Sequence, residues 1–326
     1  MQFCSTAIRA RIAAAVIGGA ASLGAGAASS EALLVVEADS GKVLHAEHAS
    51  SPWYPASVTK LVTAYVVLRA VKERRIALDG LLTVSANAVA QQPSKMGFPA
   101  GSQLTVDNAL KMLMVKSAND MAVVLAEAIS GSVENFADEM NRTARDLGMV
   151  QSHFVNPNGL PDDNQVTSAR DLALLARALI REFPEYGFYW NISAIKFGKR
   201  TMRNHNSLIA RYPGADGMKT GFICASGFNL VASATRGNKR LIAVVLGAPS
   251  APVRAVKAAQ LFERGFNSGP MAWLKPSLGT VDALAPINAA PPNMREEMCG
   301  KHRKRPAAES VDEEEEASGN VDSGSE

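Results

Sequence analysis

PASVTK, running from Pro55 to Lys60, places a serine hydroxyl and a lysine amine three residues apart. Val58, Leu61, Val62, Tyr65 and Leu68 follow at helical spacing, so the stretch reads as the start of a helix extending from Ser57 to about Lys72. Residues at i and i+3 share a helix face, which lets Ser57 and Lys60 touch. At the first turn the unpaired backbone N–H groups and the positive end of the helix dipole face whatever Ser57 attacks. The pair is therefore a candidate nucleophile with its base. The pattern alone is cheap, because Ser193 and Lys196 repeat it.

The surrounding chain is that of an ordinary globular protein: 326 residues, 47% hydrophobic and 20% charged, which excludes disorder of the whole. The first thirty residues hold no acid. Arg9 and Arg11 precede a run of mostly Ala, Ile, Val, Gly and Leu, then small residues from Ala25 to Ser29, the anatomy of a secretory signal peptide over residues 1–28. Its apolar run is short and rich in Gly, Ala and Ser, which argues against a transmembrane anchor. Removing residues 1–30 lowers the formal charge from +3 to +1, with 32 Lys and Arg against 31 Asp and Glu. Such a balance gives no general electrostatic reason to bind nucleic acid. Two cysteines remain, Cys224 and Cys299, and an exported protein allows them to pair; spacing does not decide whether they do.

After the leader, Leu33 to Glu37 and Lys42 to Glu47 read as a β-hairpin across Asp39, Ser40 and Gly41. From Thr105 the pattern turns helical: Val106 to Lys116, Asp120 to Ile129, Val133 to Leu147 and Ala169 to Ile180, with Ser168 and Asp171 arranged as a capping box. Strands return at Met218 to Cys224, Phe228 to Ala234 and Arg240 to Leu246, and a helix from Pro252 to about Phe266 closes the run. Strands at both ends with helices between them predict an α+β fold, an antiparallel sheet flanked by helices with an inserted all-helical subdomain. Residues 31–268 form one domain in this reading. Six prolines follow Ser268, together with the basic run Lys301 to Arg305 and the acidic run Glu313 to Glu316, so residues 269–326 are expected to be a disordered tail.

Two further motifs lift Ser57 above the background. Ser117 and Asn119 form an S-x-N ahead of the apolar helix, and Lys219, Thr220 and Gly221 form K-T-G at the start of a late strand. Each is weak alone, since Ser85 and Asn87 also spell S-x-N. S-x-x-K opening a helix, S-x-N at a helix start and K-T-G on a strand, in that order, form the set found in penicillin-binding proteins and class A β-lactamases. The chain from Leu33 to Phe266 resembles the low-molecular-mass penicillin-binding proteins of the serine D-Ala-D-Ala carboxypeptidase type. KSANDMAVVLAE from Lys116, FVNPNGL from Phe154, TSARDLALLAR from Thr167 and KTGFICASGFNLVASA from Lys219 carry the likeness.

The resemblance implies a β-lactamase/DD-peptidase-like fold and a periplasmic hydrolase that acts on peptidoglycan stem peptides and is inhibited by β-lactam antibiotics. Ser57 is then the nucleophile, Lys60 its base, Ser117 the proton relay to the leaving amine, and Asn119 a ligand of Lys60 and of the substrate amide. Lys219, Thr220 and Gly221 bind the substrate's terminal carboxylate end, Phe222 supplies a backbone N–H to the oxyanion together with Ser57, and Arg254 matches a family arginine near that carboxylate. His205 stands near where relatives often carry another arginine, a departure from the pattern. No cofactor or metal is implied: the histidines form no H-E-x-x-H pair, and G-x-S-x-G, G-x-G-x-x-G and Walker loops are missing from the sequence. No glutamate occurs between Glu139 and Glu182, where a class A β-lactamase keeps its deacylating base. A β-lactamase is the main rival within the same fold, a D,D-endopeptidase on peptidoglycan cross-links the second, and a non-catalytic cell-wall scaffold the remote one. Only the tail follows Phe266, with no apolar stripe for lying on a membrane, so no stable membrane anchor is expected.

Overall fold

The computed structural model describes residues 31–267 and 277–301. The expected signal peptide, residues 1–28, lies outside the described residues. Ala32–Glu37 (β1) and Val43–Glu47 (β2) form the expected hairpin. A 3-10 turn over Ala56–Thr59 leads into α1, Lys60–Lys72, so the helix anticipated from Ser57 begins as a tighter coil. Every residue of α1 from Lys60 to Leu68 is buried, a wider surface than one apolar stripe, because other elements surround this helix on all sides.

Next come Leu81–Thr83 (β3), Ala86–Val89 (α2) and Gln103–Thr105 (β4), with β3 paired to β4. The helical block follows as Val106–Val115 (α3), Asn119–Ser130 (α4), Val133–Asp146 (α5) and Ala169–Glu182 (α6). Ser168 caps α6 by accepting from Asp171 N at 3.1 Å, but the other half of the predicted capping box is spent elsewhere. The Asp171 carboxylate accepts from Gln151 N, Ser152 Oγ and Arg170 Nη1, and burial pushes its carboxyl above the usual range. Phe188–Asn191 (α7), the hairpin Ala194–Phe197 (β5) with Arg200–Arg203 (β6), and Leu208–Arg211 (α8) had no clear periodic signal, since each is only four residues long.

Ala215–Ile223 (β7), Gly227–Arg236 (β8), Lys239–Ala248 (β9) and Ala251–Phe266 (α9) complete the domain. The main sheet runs in the order β2-β1-β9-β8-β7, with every neighbouring pair antiparallel. Val35 on β1 faces Ala243 on β9, so the first and last strands of the domain meet in mid-sheet. That pairing leaves β7 on the edge. Along β9, Leu241 to Leu246 are all at 0% exposure, so both faces of the strand are covered, which explains its continuous apolar run.

Beyond residue 276 the structure corrects the expected disorder. Residues 277–301 lie against the domain: Val43 N donates to Gly279 O, Val281 N to Gly41 O, and Arg170 donates to Leu284 O and Asp282 O. Arg295–Cys299 (α10) packs through Met294 and Met298, both buried, and Cys299 is bonded to Cys224 with a Cα separation of 5.7 Å. Prolines prevent a long helix here, but a strap can bind through its carbonyls instead. Residues 302–326 lie outside the described residues.

One buried carboxylate ties α1 to the helical block. Glu139 on α5 accepts from Arg75 Nη1 at 2.7 Å and Nη2 at 3.2 Å, and from Ser130 Oγ at 2.9 Å. Burial raises its pKa, but hydrogen bonds from Arg75 and Ser130 and the charges of Arg75 and Arg69 outweigh that and hold the carboxyl below its usual range. A depressed folded-state pKa means the pair stabilises fully above the unfolded value of about 4.3 and loses its effect as pH falls through the folded value. Glu139→Gln should therefore lower stability at pH 7 by roughly 1.5–3 kcal/mol in urea unfolding, with the gap to the parent closing as the titration enters the acid range below about pH 4.

Candidate active site

Lys60 is 0% exposed, although lysine is among the residues least often buried. Its Nζ lies 2.9 Å from Ser57 Oγ, 2.7 Å from Asn119 Oδ1 and 2.6 Å from the carbonyl oxygen of Asn158. The i, i+3 relation of Ser57 and Lys60 survives in the 3-10 turn, where such side chains eclipse. The duplicate pair does not behave this way. Lys196 sits in β5, where residues three apart point to opposite faces, and the duplicate Ser85 caps α2 by accepting from Ala88 N.

Asn119 is the first residue of α4, and its amide is oriented from both ends. Nδ2 donates to Gln92 O at 2.8 Å, which turns Oδ1 towards Lys60. Its backbone N donates to Ser94 O at 2.7 Å. Asp120, 1% exposed, then holds the same loop by accepting from Met96 N and Gly97 N, each at 2.9 Å. Asp120 lies within KSANDM with no role legible from residue type, and Asn158 is silent in the sequence because it acts through a backbone carbonyl that any residue carries. Ser117 is held at φ 61, a left-handed conformation costly for a non-glycine residue and concentrated at functional sites. Its Oγ is 3.1 Å from Lys219 Nζ.

Lys219, Thr220, Gly221 and Phe222 follow one another along the edge strand β7. A Cβ at Gly221 would stand 2.8 Å from Ser57 N, so only glycine lets the strand pass so near the serine turn. Thr220 is 1% exposed and its hydroxyl is buried without a hydrogen-bond partner. Such an orphan is rare in folded proteins and calls for a function. Phe222 packs on Phe228 with ring centroids 4.3 Å apart. Arg254 is 3% exposed; it donates to Asn229 O at 3.2 Å and His205 O at 3.4 Å and lies over the Phe228 ring. His205, where relatives often carry arginine, thus contributes a backbone carbonyl.

Hairpin β5–β6 is followed by a segment that reaches the Gly217 end of β7. Asn206, in that segment, donates to Gly217 O at 2.9 Å, and Phe197 meets Phe98 edge-on with centroids 5.2 Å apart. Phe98 follows the loop that Asp120 clamps, so the hairpin reaches from the sheet side to the helical side. The three motifs, separate in sequence, therefore face one space: Ser57 with Lys60, Ser117 with Lys219, and Asn119 bridging to Lys60. Among the described residues no cluster of three His, Cys, Asp or Glu is placed to hold a metal ion, and no helix is long and apolar enough to cross a membrane.

The family described as D-alanyl-D-alanine carboxypeptidase, Peptidase S11, matches residues 20–250. D-alanyl-D-alanine carboxypeptidase DacA of Haemophilus influenzae is 37% identical over 243 residues, covering 73% of this chain and 62% of that protein. DacF of Bacillus subtilis is 34% identical over 240 residues, covering 72% and 61%. The chain thus spans about three fifths of the length of these relatives. Among solved structures, penicillin binding protein 5 from Haemophilus influenzae superposes with a TM-score of 0.70 at 37% identity, over 72% of this chain and 70% of that one. Penicillin-Binding Protein D2 from Listeria monocytogenes, in its ampicillin-bound form, gives 0.64 at 31% identity, over 72% and 96%.

Gly221→Ala should force β7 away from the serine turn. The expected outcome is a loss of about 1–3 kcal/mol in denaturant unfolding, the range for overpacking. An unchanged midpoint would mean that strand and turn are not in contact.

Proposed function

Since this chain belongs to the D-alanyl-D-alanine carboxypeptidase family, we propose that its 31–268 domain is a serine D,D-carboxypeptidase that removes the terminal D-alanine from peptidoglycan stem pentapeptides. The observation that carries this reading is Lys60 Nζ at 2.9 Å from Ser57 Oγ, with Ser117 Oγ at 3.1 Å from Lys219 Nζ across the same space. Ser57 Oγ attacks the carbonyl carbon of the penultimate D-alanine while Lys60 takes its proton. With Asn119 Oδ1 and Asn158 O on its hydrogens, a neutral Lys60 amine can turn its lone pair to Ser57. The oxyanion forms against the backbone N–H groups of Ser57 and Phe222, each such donor contributing about 10²–10³ in rate.

Collapse of that intermediate breaks the peptide bond. Ser117 passes a proton to the departing D-alanine amine, leaving an ester on Ser57, and water then hydrolyses the ester to free the serine and the shortened peptide. Lys219 and the orphan Thr220 hydroxyl take the free terminal carboxylate. Arg254 adds positive charge behind that end, held by Asn229 O and His205 O. Recognition of a free terminal carboxylate by Lys219 and Thr220 favours cutting at a chain end over cutting a cross-link. β-Lactams fit the same chemistry as slowly released acyl donors. Stem peptides lie outside the cytoplasmic membrane, so a periplasmic location accompanies this reading.

Intact-protein mass spectrometry tests it directly. Incubation with a penicillin should add one penicilloyl group, absent in Ser57→Ala, and a pentapeptide ending in D-Ala-D-Ala should lose one alanine. Lys60→Ala should slow acylation by roughly 10²–10⁴. Rapid penicillin turnover without peptide cleavage would identify a β-lactamase instead, and neither adduct nor cleavage would leave a scaffold.

A further inference from the structure

β7 is the outermost strand of the main sheet, so its free edge can receive a peptide as an added strand. The proposed roles give that peptide a direction. Its carboxylate lies at Lys219 and Thr220 and its scissile carbonyl at Phe222, so the residues before the scissile bond run antiparallel to β7 towards Cys224. β7 ends at Ile223, about 3.3 Å beyond Phe222, and Cys224 opens the turn that follows, on the side towards the stem residues just before the penultimate D-alanine.

At that level the strap returns to the domain. Cys224 is bonded to Cys299, Met294 N donates to Ala225 O at 3.0 Å, and Met294 and Met298 are buried beneath α10. The same strap is held independently farther back, where Arg170 donates to Leu284 O and Gln151 Nε2 to Ile287 O, both within 2.9 Å. α10 is thus fixed at both ends and keeps Arg295, Glu296 and Glu297 exposed.

We infer that the strap end, residues 294–299, is the far wall of the acyl-side groove and selects the diamino acid that precedes the penultimate D-alanine. The strap end carries exposed charge of both signs, Arg295, Glu296 and Glu297, on the short helix tied to Cys224, and a diamino acid side chain that ends in a free amine is what such charge can discriminate. The inference rests on the carboxypeptidase reading, because the polarity of the groove comes from it. It concerns a part of the chain that lies beyond the family match, which ends at residue 250.

The test compares kcat/KM for a D-Ala-D-Ala pentapeptide with that for acetyl-D-Ala-D-Ala, which has no residue at this level. In Glu296→Lys/Glu297→Lys, whose changes are on the surface and leave the bridge intact, preference for the pentapeptide should fall roughly tenfold, equivalent to about 1.4 kcal/mol. The parent protein, reduced and alkylated while folded, should show the same loss through the pentapeptide KM, with no substitution to unfold it. An unchanged ratio in both overturns the inference and leaves the carboxypeptidase reading standing. An equal loss on both peptides and on penicillin acylation also overturns it, since the strap would then only support the catalytic strand. A parent protein that takes no penicillin and cleaves neither peptide removes both readings.

Discussion

The amine of Lys60, shut away from water, is the constraint on which the rest of the site depends. Oxygens from the Ser57 turn, the first residue of α4 and the 156–159 loop hold it. A buried nitrogen of this kind is costly unless it is hydrogen-bonded, so any movement that parts one of these segments is opposed by all of them. The Asn119 amide is turned by Gln92 O, and Asp120 holds the same loop through Met96 and Gly97. Packing of the helical block and orientation of the Ser57, Lys60 and Asn119 side chains are therefore one network.

The sheet supplies the other wall. Because β1 pairs with β9, the N-terminal hairpin closes the sheet on one side and β7 remains on the opposite edge, next to the serine turn. Two glycines permit the approach. Gly221 passes Ser57 N, and Gly159, at φ 81, passes the carbonyl of Ala56, where a side chain has no room. Asn229, on β8, links the layers by donating to Tyr54 O and Pro55 O just ahead of Ser57. The sheet thus fixes the serine turn through backbone contacts from beneath.

The strap shows how a proline-rich segment is ordered with only a 3-10 turn over Val281–Ala283 and the short α10 as secondary structure of its own. Its carbonyls at Asp282, Leu284 and Ile287 accept from Arg170 and Gln151, residues whose own positions are set by α6 and by the Asp171 carboxylate. Composition predicts disorder for such a segment because it counts apolar residues. Val281, Met294 and Met298 are few, yet each is buried at a point already pinned by hydrogen bonds or the disulfide.

The sequence by itself determined the helical block, the late strands, the serine cap of α6 and the three motifs, because helical and strand periodicity, caps and short spacings are local properties of residue type. Ser57, Lys60, Ser117, Asn119 and Lys219 were legible for that reason. Tertiary structure alone decided that Ser57 rather than Ser193 meets its lysine, that Asn158 gives Lys60 a carbonyl, that Asp120 clamps the loop over Asn119, and that Cys299 returns to Cys224. The bonds from Lys60 to Asn158, from Lys219 to Ser117 and between the two cysteines join residues 98, 102 and 75 positions apart. Backbone carbonyls leave no mark in residue identity, and contacts at such separations depend on how the β1–β9 pairing folds the chain back upon itself.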